Sequence, residues 1–122
     1  MRKTQILAAA LSAVVAMGVA GQAAAHARLL AGTPKNGATV AAPKALTLRY
    51  SEALVPAASS VTVTTGAGAA VATGPLGLDK TKRVVTVPFT GPLAAGAYKV
   101  AWRMKTEDGH TTEGDFGFTV KR

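Results

Sequence analysis

Short runs of alternating apolar and polar residues, separated by glycine and proline, make up most of the chain after residue 25. Side chains along an extended strand point alternately to its two faces, so this period predicts strands with one buried face. The runs recur at a spacing of roughly 8–12 residues, which is typical of a sandwich or barrel of short antiparallel strands. The sequence therefore predicts an all-β domain. We place its strands at Ala27–Leu30, Ala45–Tyr50, Ser60–Thr65, Ala69–Ala72, Arg83–Phe89, Ala97–Lys105 and Asp115–Lys121.

The first 25 residues differ from the rest of the chain and have the three parts of a secretory signal peptide. Two basic residues open the chain, residues 6–20 are almost wholly apolar, and alanines stand at the −3 and −1 positions of a cleavage site after Ala25. The apolar run has roughly 15 residues, fewer than the ~20 that a membrane-spanning helix needs. The chain has no cysteine for a lipid anchor and no twin arginine. We therefore expect export by the general secretory route, a signal peptide at 1–25, and a mature protein in the periplasm or elsewhere outside the cytoplasm.

Removing those 25 of the 122 residues leaves a domain of 97 residues, from His26 to Arg122, which can bury a modest core. Two of the 14 lysines and arginines lie in the removed part, so 12 basic and 6 acidic residues remain and the formal charge is +6. The basic residues are scattered, apart from a small cluster at Lys80, Lys82 and Arg83. We interpret them as a soluble basic surface and expect no nucleic-acid partner.

The chain has two histidines, His26 and His110, and both stand where they could bind a metal. After cleavage the α-amine of His26 is free, and its imidazole can form a chelate ring with the same ion. His110 lies in a polar turn two residues after Asp108, and such a spacing puts two side chains on one side of an extended segment. Three nitrogens and one oxygen favour Cu(II), although Zn(II) uses the same types of ligand. An exposed histidine is often an ordinary surface residue, so the residue types alone leave both readings open.

Six segments of the mature sequence follow one another in a specific order and spacing. They are His26–Leu30, Thr33–Gly37, Leu46–Glu52, Leu93–Arg103, Asp108–His110 and Gly114–Phe118. In these segments the chain resembles the bacterial copper resistance protein C (CopC) family, and the resemblance extends over essentially the whole mature chain. It implies a seven-stranded Greek-key β-barrel or sandwich, immunoglobulin-like or cupredoxin-like.

The resemblance also implies a metal site for one Cu(II) ion per chain. The ligands of the family are an N-terminal histidine, an aspartate and a second histidine, which correspond to His26, Asp108 and His110. Glu52 resembles a residue placed close to that site, where it would orient the ligands by hydrogen bonding. A solvated acid at the end of a strand is the alternative for Glu52.

Some members of the family carry a methionine-rich loop that binds Cu(I), because soft thioethers prefer the soft ion. The corresponding stretch here, residues 64–74, has neither methionine nor histidine. The one methionine after residue 25, Met104, lies on a strand rich in apolar positions, so we expect it in the core. The chain therefore resembles the members that bind Cu(II) only.

The function implied by the resemblance is that of an exported copper-binding protein in copper resistance, buffering or delivery, and not of an enzyme. Its partners would be the copper ion and an inner-membrane copper transporter of the copper resistance protein D (CopD) type, and we expect a monomer. The alternative is a small copper-dependent oxidative enzyme, because copper monooxygenases that cleave polysaccharides also use an N-terminal histidine chelate. Asp108 would fill the position that oxygen needs in such an enzyme. A purely structural adhesion module is a third alternative.

Overall fold

The computed structural model describes residues 27–122, and the regular secondary structure of this part of the chain is almost wholly β-strand. Its strands are β1 (Leu29–Thr33), β2 (Thr39–Val40), β3 (Ala45–Tyr50), β4 (Ser60–Thr65), β5 (Ala70–Val71), β6 (Gly77–Leu78), β7 (Val84–Pro88), β8 (Gly96–Lys105) and β9 (Thr111–Val120). One short 3-10 helix, Pro56–Ala58, lies between β3 and β4. Within residues 27–122, no helix is long and apolar enough to cross a membrane.

The strands form two sheets that pack face to face. The four-stranded sheet has the order β1-β3-β7-β6, and the five-stranded sheet has the order β2-β9-β8-β4-β5. Neighbouring strands are antiparallel, except that β2 runs parallel to β9. Strands that are distant in sequence pair directly, β3 with β7 and β4 with β8, because the chain crosses between the sheets in the Greek-key manner. The predicted all-β class and Greek-key arrangement are confirmed.

The core between the sheets follows the predicted two-residue period. On β3, Leu46, Leu48 and Tyr50 are buried while Thr47 and Arg49 are exposed. The two longest strands of the described chain follow the same rule, with Tyr98, Val100, Trp102 and Met104 buried on β8, and Phe116, Phe118 and Val120 buried on β9. The expected place of the methionine in the core is therefore confirmed.

Each of the seven predicted strands overlaps an observed strand, and the bounds predicted for β3 and β4 are the observed ones. The sequence does not predict β2 and β6, because strands of two residues each are too short to show an alternation. The last strand begins at Thr111 and not at Asp115 as predicted. Polar residues and Gly114 hide this part of β9, but its backbone pairs with β8 as far as Lys105. The observed number of strands in residues 27–122 is accordingly nine.

Gly114 on β9 is required by the indole ring of Trp102 on β8. The two residues are direct partners in the strand register, and a Cβ atom at position 114 would lie 2.5 Å from Cζ2 of Trp102. The indole cannot easily move away, because it packs edge-on against the buried ring of Tyr50 with the ring centroids 5.2 Å apart. Any side chain at position 114 would therefore force the tryptophan out of its packed position.

We expect Gly114→Ala to lower the free energy of unfolding by roughly 1–3 kcal/mol, since overpacking of a well-packed site costs about that much. Urea denaturation of the metal-free domain measures the change. Gly91→Ala is the matched control, because a Cβ atom at position 91 would meet nothing within 4 Å, and it should change stability by less than about 0.5 kcal/mol. Equal losses in the two variants would contradict a specific requirement at position 114.

Candidate metal centre

Asp108 and His110 lie in the tight loop that joins β8 to β9. These strands are ten residues each and pair along their whole length. The loop reverses the chain at Gly109, whose φ of +93° is one that glycine adopts without strain. The N–H of Gly109 donates a hydrogen bond of 3.0 Å to the carbonyl oxygen of Thr106 and closes the turn. The long hairpin thus fixes the loop at one end of the sandwich.

The side chains of Asp108 and His110 converge, in agreement with their spacing in the sequence. Oδ1 of Asp108 lies 3.2 Å from Nδ1 of His110. The exposed fractions of the two side chains are 57% and 45%, so an ion in solution can reach both. One carboxylate oxygen and one imidazole nitrogen are therefore available side by side as metal donors.

The buried residue Thr106 supports this pair through hydrogen bonds, and the sequence does not predict this role. The residue is only 2% exposed, and its hydroxyl donates a hydrogen bond to Oδ1 of Asp108. The hydroxyl oxygen Oγ1 of Thr106 accepts the backbone N–H of His110 at 3.2 Å, and the backbone N–H of Thr106 donates to the carbonyl oxygen of His110 at 2.8 Å. The one sequence signal is a threonine two residues before an aspartate in a turn, which is too common to identify a supporting residue.

Hydrogen bonds to its carboxylate hold the pKa of Asp108 below its ordinary value. The hydroxyl of Thr106 is the largest cause, and His110 follows. Both groups favour the ionised form of the acid. Asp108 is therefore ionised well below neutral pH, and the ionised carboxylate is the form that binds a metal ion.

The segment after β3 packs against the β8–β9 loop. Leu54 forms an isolated β-bridge with Thr106, and the N–H of Glu107 donates to the carbonyl oxygen of Ala53 at 3.1 Å. Glu52 immediately precedes this contact and is partly buried. Glu52 thus adjoins a segment that contacts the loop, but within residues 27–122 it forms no hydrogen bond or ion pair with Asp108, so its orienting role stays a prediction.

The start of the described chain is hydrogen-bonded to the beginning of the same segment. The N–H of Ser51 donates to the carbonyl oxygen of Arg28 at 3.0 Å, and the N–H of Arg28 donates to Oγ of Ser51 at 2.8 Å. Ala27 is fully buried. His26 itself lies outside the described residues. The start of the described chain and the β8–β9 loop therefore both contact the segment of residues 51–54.

Within residues 27–122, no three side chains of histidine, cysteine, aspartate or glutamate are grouped so that they could hold a metal ion. Asp108 and His110 supply two donors of the types that Cu(II) and Zn(II) accept. Further donors would have to come from outside the described part of the chain, and the α-amine and imidazole of His26 are of the right kind. Asp108 and His110 therefore fit part of a copper site, and its completion by His26 stays a prediction.

The stretch that corresponds to the methionine-rich loop lies at the opposite end of the sandwich. On the strand pair β4–β8, Thr65 is opposite Tyr98, near the start of β8, whereas Asp108 follows the end of that strand. Seven residues of strand separate position 98 from the end of β8 at Lys105, a distance of about 23 Å. The sole methionine of the described residues, Met104, is fully buried.

Comparison with known proteins identifies the family. Residues 29–121 match the family model of the CopC domain. The chain belongs to the CopC family. The copper resistance protein C of Escherichia coli is 36% identical over an alignment of 122 positions, which covers 93% of this chain and 95% of the relative. The copper resistance protein C of Pseudomonas syringae pv. tomato is 34% identical over 84% of this chain and 86% of the relative.

Two solved structures of the CopC type have the same fold. The crystal structure of PcoC from Escherichia coli, described as a methionine rich copper resistance protein, superposes with a TM-score of 0.73 at 30% identity. The match covers 80% of this chain and all of PcoC. CopC from Methylosinus trichosporium OB3b matches with a TM-score of 0.72 at 33% identity, over 79% of this chain and 94% of that protein. With three methionines in total, the present chain is not methionine-rich.

We expect Thr106→Val to raise the pKa of Asp108 towards its ordinary value, because the variant removes the largest cause of the lowering at nearly constant volume. A group with a lowered folded-state pKa adds stability above its unfolded pKa, and this is lost as the pH falls through the folded value. The stability of the variant should therefore change less with pH below about 4. NMR titration of the side-chain carboxyl resonance in metal-free protein measures the pKa directly. Thr86→Val, on the exposed face of β7, is the matched control, and an unchanged Asp108 titration in Thr106→Val would refute the role of the hydroxyl.

Proposed function

We propose that the mature protein binds one Cu(II) ion outside the cytoplasm through His26, Asp108 and His110. The observation that carries this proposal is the 3.2 Å contact between Oδ1 of Asp108 and Nδ1 of His110, at the end of the domain where the start of the chain is anchored. The names of the relatives, copper resistance protein C, support copper as the metal.

Removal of residues 1–25 would create the copper site. Only after cleavage does His26 carry a free α-amine, which adds a second nitrogen on the same residue as the imidazole. The three residues then supply three nitrogens and one carboxylate oxygen. Each donor binds in its deprotonated form, and the hydrogen bond from Thr106 already favours that form of Asp108. Glu52, next to the loop, would orient this set through further hydrogen bonding.

The donor set favours Cu(II) over Cu(I). Nitrogen and oxygen ligands suit Cu(II), whereas Cu(I) prefers thiolate and thioether sulfur. Residues 64–74 contain neither methionine nor histidine, and the thioether of Met104 is enclosed in the core. Zn(II) accepts the same donors, but Cu(II) stands above it in the divalent affinity series.

We propose a role as a periplasmic copper carrier or buffer in copper resistance or delivery, with a membrane copper transporter of the CopD type as partner. The exposed ligand pair suits a cargo ion that must be taken up and released. The alternative, a small copper-dependent oxidative enzyme, would turn over peroxide on a polysaccharide when loaded with copper. A carrier would show no such turnover.

Processing is the first requirement of this proposal. Protein recovered from the periplasm should begin with the sequence His-Ala-Arg-Leu, because cleavage after Ala25 is expected from the signal peptide. N-terminal sequencing and the intact mass measure the start directly. A mature protein that starts at any residue other than His26 would remove the amine chelate from the proposal.

The ligands are tested by Cu(II) affinity, measured by competition with a chelator. We compare the domain starting at His26 with the same domain carrying one extra glycine before His26, and with His110→Ala and Asp108→Asn. Loss of one nitrogen donor should weaken binding by roughly a hundredfold or more, at ~1.4 kcal/mol for each factor of ten. Asp115→Asn is the matched control for the carboxylate, because Asp115 is exposed on β9 and contacts Lys99 instead of the loop.

Each variant decides one part of the proposal. Equal affinity of the glycine-extended and native N-termini would exclude the α-amine as a ligand. Equal affinity of His110→Ala and the unchanged domain would exclude the loop histidine. A comparable loss in Asp115→Asn would show that removal of any surface carboxylate weakens Cu(II) binding, and would exclude specific ligation by Asp108.

A further inference from the structure

Three arginines surround a cleft on the outer face of the four-stranded sheet. Arg28, Arg49 and Arg83 line a cavity of about 630 Å³. Arg49 projects from β3, while Arg28 and Arg83 directly precede β1 and β7, the two neighbours of β3 in the sheet. Strand order therefore gathers three guanidinium groups that are far apart in sequence.

The three guanidinium groups have no acidic partner within residues 27–122. Four of the six acidic residues of the protein pair elsewhere, namely Glu107 with Lys82, Asp115 with Lys99, Glu113 with Arg103 and Asp108 with His110. Among residues 27–122, Glu52 forms no ion pair with any of the three arginines. Residues 1–26 contain no aspartate or glutamate, so they cannot supply the missing charge.

The one carboxylate that lines the cleft, Asp79, is used by its own turn. Its Oδ1 accepts the backbone N–H groups of Arg83 and Val84 at 3.2 and 3.1 Å, and its carboxylate also accepts the hydroxyl of Thr81. These hydrogen bonds lower its pKa, which agrees with a turn-stabilising role for the ionised acid. The cleft therefore keeps an excess of positive charge, three arginines against one aspartate.

An exposed apolar side chain borders the same cleft. Leu30 is 47% exposed and is the large hydrophobic residue that the described chain leaves open to solvent. The register between β1 and β3 shifts between Leu29 and Ala31, and this irregularity turns Leu30 outward. Since β1 is an edge strand of its sheet, an extended segment could lie along it.

We propose that this arginine cleft docks a partner protein through an extended acidic segment. Carboxylates of the segment would pair with Arg28, Arg49 and Arg83, since the planar fork of arginine binds carboxylate in a bidentate manner. An apolar residue of the segment would cover Leu30. A second copy of this chain fits less well, because five of its six acidic side chains already take part in ion pairs or in the Asp79 turn. A concave site between strands also suits a peptide better than the flat surface of an anionic membrane.

The docking surface adjoins the end of the domain that carries the candidate copper ligands. Arg28 is hydrogen-bonded to Ser51, and residue 51 begins the segment that packs against the β8–β9 loop. A partner bound in the cleft would thus lie close to the β8–β9 loop. The inference stands on the cleft alone and does not require that the protein binds copper.

The test uses the mature domain and a fluorescently labelled peptide of alternating glutamate and leucine, with a matched peptide in which glutamine replaces glutamate. Fluorescence anisotropy should show binding of the acidic peptide only, and this binding should weaken as the salt concentration rises from about 0.05 to about 0.5 M. The double variant Arg49→Gln/Arg83→Gln should bind the acidic peptide at least about tenfold more weakly, because it loses charge-assisted hydrogen bonds. Arg49→Lys/Arg83→Lys keeps the charge but not the fork and should fall between the two.

The matched control is Lys44→Gln/Arg122→Gln, which removes the same charge from exposed positions outside the cleft. Equal weakening in the control would assign the binding to net charge and overturn the proposal, as would equal binding of the glutamine peptide. Arginine-dependent binding to phosphatidylglycerol vesicles, without binding of the peptide, would overturn the proposal and identify an anionic membrane as the ligand of the cleft. The Cu(II) affinity of Arg49→Gln/Arg83→Gln should equal that of the unchanged domain, so the outcome is independent of the ligand tests.

Discussion

The pairing of β8 with β9 is the interaction on which the rest of the structure depends. These strands pair over ten residues each, lie inside the five-stranded sheet, and send alternate side chains into the core. A slip of one residue would turn every one of those side chains to the wrong face. The same slip would place a side chain other than hydrogen opposite Trp102, where Gly114 now leaves room for the indole. The register that fills the core therefore also fixes where the β8–β9 loop stands.

The exposed candidate ligands are positioned by buried neighbours. Thr106 and Leu54 are 2% and 1% exposed, and together they connect the loop to the segment that follows β3. A single hydrogen bond contributes only about 1 kcal/mol net, so the contacts at this end could not order the loop by themselves. They are effective because β8 and β9, which the loop joins, already pair over ten residues each. Asp108 and His110 can thus be open to an incoming ion and still hold a defined geometry.

The sequence predicts most of the fold and only part of the site. Strands with a clear two-residue period, such as Ala45–Tyr50, could be predicted from the sequence, and so could the approach of Asp108 to His110, because both depend on neighbours in sequence. The role of Thr106 could not be predicted, since it depends on the burial of this residue under the loop. The arginine cleft was also beyond reach, because its members come from three parts of the chain that only the strand order brings together. In the folded protein the basic cluster around Lys82 is divided between two surfaces. Lys82 pairs with Glu107 of the β8–β9 loop, and Arg83 lines the arginine cleft.

That division explains how a basic protein can offer a site to a cation. Lys82 directly precedes Arg83 of the arginine cleft, and its ammonium group forms a 3.2 Å ion pair with Glu107, the residue just before Asp108. This pair adds little to stability because both side chains are about half exposed. It does, however, neutralise a lysine that contacts the loop, and charges more than about 8 Å away are largely screened at physiological salt. Lys82 therefore does not oppose the negative charge of Asp108, while the unpaired arginines keep their attraction for carboxylates on the neighbouring face. The carboxylate of Asp108 and the arginine cleft thus place opposite local charges on neighbouring parts of the sandwich, which is the arrangement that the two proposals require.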